Sequence, residues 1–403
     1  MAKTEITTIW NKNFICVMAA NTLMTFGHFT VNPLVASYAK YLGTSDRMTG
    51  FLAGMFFGVA LAIRPISGPL ITKLDKRILL MLTFLCGCIA SLGYAMSGSV
   101  AVFAIFRFLN GLEYSFLGTL VMTLASDNLP LDKMASGMGL YTLGSAIGTA
   151  VAPIIGEAFL ALGTGVKDEG FGFTLVFLFS AAALALAIVP AALLSPDKKS
   201  KEDIASTGAW YKNILTVHAL PITVVVMLVQ AVYSLFSTYM IEFGKEQSIA
   251  GVSIFFTVLA AMLAVSRPMS GVLTDRFGVQ KIIYPGLVLF TLSFLVVGSS
   301  TVLWMVLVGG VLAALGYGSS YPPLVAMCMK TVQPLKRGVA SNTIYMGLDL
   351  GLFLGPLLGG FVKERYNYAS MYKMGMAPVI LALVGFTLLL PMYKRRLSAL
   401  DTN

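Results

Sequence analysis

The sequence predicts an all-α membrane protein whose twelve transmembrane helices form two pseudo-symmetric six-helix bundles. Three observations predict it. Of the 403 residues, 57% are hydrophobic and only 11% charged, and the mean hydropathy is +0.83, a balance that excludes an ordinary soluble domain. Apolar runs of about 20 residues, each enough to cross about 30 Å of hydrocarbon, recur along the whole chain with short polar breaks. The chain also repeats itself. Arg64-Pro65-Ile66-Ser67-Gly68-Pro69-Leu70 returns as Arg267-Pro268-Met269-Ser270-Gly271-Val272-Leu273, and the same offset of 203 residues carries Gly144, Gly148, Pro153 and Gly156 onto Gly347, Gly351, Pro356 and Gly359. Two distant sites sharing one offset mark two homologous halves.

Backbone groups in lipid must bond within their own segment, so each run is a helix. Span 1 (14–39) starts without a small-residue cleavage site behind it, which makes it a retained span and not a signal peptide. It carries Asn21, Thr25, His28 and Asn32 at spacings of 4, 3 and 4, all on one face, and Pro33 then breaks the ladder. Span 2 (48–71) holds the first copy of the repeat, with Arg64 and Gly68; span 3 (78–97) holds Cys86 and Cys88. In span 4 (101–124) Arg107, Asn110, Glu113 and Tyr114 fall within about 120° of arc, one polar stripe on an apolar helix. Span 5 (136–160) is rich in glycine and contains Pro153, and span 6 is 171–194. Span 7 (218–241) offers Gln230, Ser234 and Ser237 at helical spacing with Tyr233 at the edge, and span 8 (249–272) holds the second repeat copy, with Arg267 and Gly271. Span 9 is 281–299; span 10 (302–328) sets Tyr317 and Tyr321 one turn apart. Span 11 (339–361) places Asn342, Tyr345 and Asp349 on one face with Pro356 continuing the line, and span 12 is 374–393.

The net charge of +10 is a matter of topology and not of nucleic-acid binding. With both termini cytoplasmic, eighteen lysines and arginines lie inside, among them Lys3, Lys76, Arg77, Lys198, Lys199, Lys201, Arg276 and Arg396. Only seven lie opposite: Lys40, Arg47, Lys167, Lys245, Lys363, Arg365 and Lys373. This asymmetry obeys the positive-inside rule. The longest polar break, Ser195 to Gly208, divides an N-terminal six-helix bundle (1–195) from a C-terminal one (216–403) through a cytoplasmic linker (196–215). Six spans being even, both halves enter the membrane in the same sense, as parallel repeats around a central cavity. Cys16, Cys86, Cys88 and Cys328 fall inside apolar runs, and His28 and His218 are the only histidines, so no disulfide framework, metal site or cofactor is expected. The absence of an N-x-Ser/Thr sequon and of a long outer loop points to a bacterial inner membrane.

These features resemble the major facilitator superfamily over essentially the whole chain. Gly271 to Lys281, GVLTDRFGVQK, is similar to that family's loop signature, with Asp275 and Arg276 at its acidic and basic positions and Gly278 allowing a tight turn. The first copy, GPLITKLDKR, has Thr72 for the usual Asp and Asp75 for the usual Gly. The glycine runs beginning at Gly144 and Gly347 resemble the span 5 motif of drug:proton antiporters and its span 11 counterpart, with Pro153 and Pro356 in each. Physically, small residues four apart permit close helix packing at the bundle interface, and proline kinks the helix. Arg107 to Tyr114, RFLNGLEY, is similar to the family's Arg-x-x-x-Gly motif, in which the resemblance implicates the arginine in proton coupling.

A charge at the bilayer centre costs about 2.5–3.5 kcal/mol, so one that persists there lines water, pairs or works. Glu113, Asp349, Arg107 and His28 are therefore the candidates for proton coupling. Asn21, His28, Asn32, Asn110, Glu113, Tyr114, Gln230, Tyr233, Ser234, Tyr317, Tyr321, Tyr345 and Asp349 are the candidates for substrate contact. Arg64, Gly68, Arg267, Gly271, Asp275, Arg276, Pro153 and Pro356 are read as gate or conformational positions. The expectation is a proton-coupled exporter, working as a monomer in the bilayer, that moves a small organic compound by alternating access. The alternative is a symporter importing a nutrient or organic anion. An enzyme would need chemistry the chain lacks, since neither HExxH nor GxSxG nor a phosphate-cradling glycine loop occurs.

Overall fold

The computed structural model describes residues 7–197 and 210–401. Lys3, Lys198, Lys199, Lys201 and the central part of the expected linker lie outside the described residues. Among the described residues twelve helices are long and apolar enough to cross a membrane: Lys12–Tyr41, Phe51–Lys73, Lys76–Ala95, Val100–Asp127, Met134–Val166, Glu169–Ala192, Leu220–Glu246, Ile254–Phe277, Val279–Gly298, Leu303–Lys330, Pro334–Arg365 and Tyr368–Ser398. They are spans 1 to 12 in that order.

Local chemistry explains where they begin and bend. Asn11, Asp75 and Asp168 each accept a hydrogen bond from a backbone N–H in the first turn of spans 1, 3 and 6, satisfying donors that a helix start leaves orphaned. Pro33 interrupts span 1 as expected: the helix Lys12–Val31 passes through a tighter turn at Asn32–Leu34 and resumes at Val35–Tyr41. Gly278, at φ 88°, joins span 8 to span 9 without an intervening loop, a backbone angle that a Cβ would strain. Pro153 and Pro356 sit inside helices that run on unbroken on either side.

The described residues form two compact units. One comprises Thr8–Asn128 with Gly144–Ile214; the other gathers Leu129–Leu143 with the second half from Leu215 onward. Within the first, span 5 lies on span 1, where a Cβ at Gly144 would meet the Thr22 hydroxyl at 2.7 Å and one at Gly156 the Thr30 carbonyl at 2.6 Å. Within the second, span 11 lies on span 7 in the same way, with Gly347 against Thr223 and Gly351 against the Met227 carbonyl. The repeated glycines thus serve close approach inside each unit.

The repeated Arg-Pro-x-Ser-Gly stretch has a shared structural meaning too. Ser67 donates to the Ser115 carbonyl at 3.2 Å, and Ser270 donates to the Gly318 carbonyl at 2.9 Å. Donors and acceptors are each separated by the sequence offset of 203 residues. One hydrogen bond, tying span 2 to span 4 and span 8 to span 10, has been copied with the halves.

Candidate functional site

In the first unit a polar cluster is assembled from spans 1, 3 and 4. His28 accounts for both ring nitrogens: Nδ1 lies 2.8 Å from the Met24 carbonyl and Nε2 3.0 Å from Glu113 Oε2. A carbonyl oxygen only accepts, so Nδ1 carries a hydrogen. The Nε2 to Oε2 contact then needs one further proton, on nitrogen as a charged pair or on oxygen as a neutral pair. Asn110 Nδ2 donates to the same carboxyl oxygen at 3.3 Å, and Tyr94 donates to Asn110 Oδ1 at 3.2 Å. Glu113 is 0% exposed and His28 3%. The other carboxyl oxygen, Oε1, is buried without a hydrogen-bond partner among the described residues. Phe56 and Tyr114 pack around the imidazole, with ring centroids 5.6 and 5.3 Å from it.

Arg107 shares the helical stripe with Glu113 but turns to different neighbours. It donates through Nη1 to Asn32 Oδ1 at 2.9 Å, through Nε to the Leu52 carbonyl at 3.1 Å and through Nη2 to the Ala53 carbonyl at 3.2 Å. Its guanidinium also stands 5.0 Å over the Phe56 ring. The arginine therefore fastens span 4 to spans 1 and 2, and meets the cluster through Phe56 and Tyr94. Asn21 reaches away as well, donating to Ser145 Oγ of span 5 at 2.9 Å.

The second unit concentrates aromatic rings instead of titratable groups. Tyr233 and Tyr317 stack at 4.0 Å, Tyr317 and Tyr321 at 5.5 Å, and Tyr317 donates to Gln230 Oε1 at 2.8 Å. Arg267 stands over Tyr317 and Tyr321 at 5.7 and 5.9 Å and donates to the Thr142 carbonyl. Ser234 is buried, bonded to the Ala231 carbonyl in the seam against Gly355. Asn342 and Asp349 lie buried on span 11, and Tyr345 comes within 3.5 Å of the Tyr141 hydroxyl.

The expected gate positions divide by half. Arg64 is wholly buried and binds the Ser115 carbonyl and the Thr119 hydroxyl at 3.3 and 3.1 Å. It pairs with a helix carbonyl and a hydroxyl of span 4 and does not snorkel. Gly68 is buried on the same span. Asp275 accepts from Ser136 N at 2.7 Å and Ala135 N at 3.2 Å, capping the start of span 5, with Lys330 3.8 Å away. Gly271 lies against that same turn, where a Cβ would come 2.8 Å from Ser136 Cα. Arg276 is exposed and covers Phe277. In the first half, Thr72 bonds its own helix at the Pro69 carbonyl. Asp75 caps span 3, while Lys76 pairs with Asp127 at 2.5 Å.

Helical-face reasoning on the sequence finds His28, Asn110 and Glu113, and misses Tyr94, Phe56, Ser145 and the Met24 carbonyl. Tyr94 is a polar tip near the end of an apolar span, and Ser145 lies inside the glycine run; both are signals that could have been read. Nothing in the sequence marks the carbonyl.

Residues 17–248 and 221–401 match the family model described as Major Facilitator Superfamily. The chain is similar to the staphylopine export protein of Staphylococcus aureus, 22% identical over 391 residues that cover 91% of this chain and 93% of that one. It is similar as well to multidrug resistance protein MdtG of Proteus mirabilis, 23% identical over 397 residues, 93% of this chain and 95% of that one. Among solved structures it superposes on the E. coli fucose:proton symporter with a TM-score of 0.76 at 12% identity, over 95% of this chain and 98% of that one.

Proposed function

The chain belongs to the Major Facilitator Superfamily, and we propose that this multi-pass membrane transporter is a proton-coupled exporter of a small organic compound. The observation that carries the coupling is the sealed His28–Glu113 contact, which needs one proton to be a hydrogen bond at all. The export-named and multidrug-named relatives favour the outward direction. Because Glu113 has no access to water here, it exchanges its proton in a conformation in which span 1 and span 4 have parted. Protonation and conformation are then linked: each state of the pair favours one arrangement of the helices, and the solute is carried by whichever arrangement binds it better.

The remaining assignments follow the same reading. The halves 1–195 and 216–403 are the two bundles, joined by the linker 196–215, with both termini cytoplasmic in a bacterial inner membrane and the monomer as the working unit. Asn21, Asn110 and Tyr114 in the first unit, and separately Gln230, Tyr233, Tyr317, Tyr321 and Tyr345 in the second, are the groups that offer hydrogen bonds and ring faces to a solute. Asp349 adds a second acid, while Arg107 and Asn32 hold the frame. Arg64, Gly68, Arg267, Gly271, Asp275 and Arg276 hold the cytoplasmic ends of the helices.

The test is flux of ethidium, a planar cationic dye, in proteoliposomes under an imposed pH difference. Antiport accumulates dye on the acidic side, and Glu113→Gln abolishes the accumulation. Accumulation on the other side makes the protein a symporter. Wild-type pH-driven flux in both Glu113→Gln and Asp349→Asn removes the proton sites altogether.

A further inference from the structure

The offset of 203 residues gives every member of the first unit's cluster a counterpart in the second. His28 corresponds to Ala231, Arg107 to Gly310, Asn110 to Ala313, Glu113 to Gly316 and Gly87 to Phe290. The polar set has no copy. At the last two positions the seam between neighbouring helices has changed sides. In the second half the glycine stands on span 10, where a Cβ at Gly316 would come 2.6 Å from Phe290 Cα. In the first half the glycine stands on span 3, where a Cβ at Gly87 would come 2.5 Å from Glu113 Oε1 and 2.9 Å from Cδ. Leu184 Cδ1, 3.1 Å from the same point, closes the other side. The space that a phenylalanine fills in one half is the space that holds a carboxyl group in the other.

We propose that Gly87 is a positioning residue of a one-proton site, the His28–Glu113 pair, which the first half of the chain has and the second half has lost or never had. The proposal rests on the proton-coupled reading above. With no side chain at position 87 the carboxyl group lies back against span 3, which lets Oε2 reach His28 at 3.0 Å while Oε1 stays dry and unbonded. A methyl group there must displace the carboxyl, because Leu184 leaves no room for it elsewhere. The titratable and charged groups around the pair are Cys86 and Tyr94 of span 3 and Arg107 of span 4, with Tyr114 against the imidazole. Span 2 contributes Phe56 and span 6 Leu184, both apolar. The pair itself is joined by a hydrogen bond that needs one proton on nitrogen or oxygen.

The experiment is a pH titration of the infrared band of protonated carboxyl groups in the purified full-length protein, held in lipid nanodiscs. The band of Glu113 is the one that Glu113→Gln removes. Gly87→Ala moves its midpoint by about one pH unit or more. Adding Glu113→Asp to Gly87→Ala, which withdraws the carboxyl by one methylene, restores a titrating band near the wild-type midpoint. Gly93→Ala, which crowds Phe106 in the same seam away from the carboxyl, leaves the midpoint in place. An unmoved midpoint in Gly87→Ala, or an equal movement in Gly93→Ala, overturns the assignment. If Gly87→Ala does not fold, the double variant decides: recovery of fold and band supports the proposal, and continued failure overturns it. Loss of ethidium flux in Glu113→Gln together with an unmoved Gly87→Ala midpoint defeats only the role of Gly87. Intact pH-driven flux in both Glu113→Gln and Asp349→Asn defeats the proton-coupled reading beneath it.

Discussion

Replacing Asp275 by alanine strips the cap from span 5, and the loss can be worked from the structure. The carboxylate accepts two backbone N–H bonds, from Ser136 at 2.7 Å and Ala135 at 3.2 Å. These are donors that a helix start cannot satisfy internally. A lost N-cap costs about 0.5–2 kcal/mol, and a negative charge at a helix N-terminus is worth about 0.3–1 kcal/mol. Overlap between the two effects leaves an expected loss of about 1–2 kcal/mol. Lys330, at 3.8 Å, adds little. Asp275→Asn keeps an acceptor oxygen and gives up the charge, so it falls between wild type and alanine. Arg276→Ala, at an exposed site covering only Phe277, changes stability by less than about 0.5 kcal/mol. The assay is the melting temperature of the purified protein in one detergent, where Asp275→Ala falls by about 2–4 °C. An alanine variant as stable as wild type, or an asparagine variant worse than alanine, would refute the capping account.

Three further outcomes follow from named contacts. Ser67→Ala and Ser270→Ala each lose one buried hydrogen bond of the same design. They should destabilise by matching amounts of about 1 kcal/mol and add in the double variant, as melting curves would show. Arg107→Lys replaces a fork that spans three acceptors by a point charge, so stability drops by about 1–3 kcal/mol even though the charge is kept. Thermal melting of Arg107→Lys against Arg107→Met separates geometry from charge. His218, just ahead of span 7, is held below the ordinary histidine range by partial burial, and then by Arg396 and Lys336. A base whose folded value is lowered takes up protons more readily unfolded. Stability therefore rises with pH up to about 6.5, and His218→Asn flattens that slope in melting curves between about pH 5 and pH 7.

The twelve spans were legible because lipid makes the demand uniform: a run of about 20 apolar residues has no other way to satisfy its backbone. Ends were less so. Span 5 runs on to Val166 and span 12 starts at Tyr368, since interfacial turns tolerate polar residues that a hydropathy reading trims away. Helical spacing puts Arg107 and Glu113 on one stripe of span 4, yet the two part company on it. A helical wheel gives the direction of a side chain and not the identity of the helix it meets. One turn along, the neighbours change from the Leu52 and Ala53 carbonyls to His28. Carbonyl acceptors are present at every residue and so carry no signature in the sequence. Gly87 carried none either, because what distinguishes it is the carboxyl group that occupies its missing side chain.

The duplicated halves show which interactions a fold must keep and which it is free to spend on chemistry. The serine bonds to spans 4 and 10, and the glycine faces against spans 1 and 7, recur at the same offset. Each fixes a backbone-to-backbone distance that no alternative side chain would preserve. Arg64 and Arg267 recur in sequence and each donates to a helix carbonyl, but the carbonyls, of Ser115 on span 4 and Thr142 on span 5, are not equivalent positions. Identity at a repeated position therefore argues for shared architecture only where the partner repeats too. By that criterion the His28–Glu113 pair, whose positions become Ala231 and Gly316, and the Tyr233–Tyr317–Tyr321 stack, of which Tyr317 alone has a tyrosine counterpart, Tyr114, are where the two halves differ. In the function proposed above, one holds a proton and the other offers ring faces. Exchanging Tyr317 for leucine should then weaken ethidium binding at every pH, while Glu113→Gln should remove only its pH dependence. A Tyr317→Leu variant that altered the pH dependence as Glu113→Gln does would show that the two halves share a single function after all.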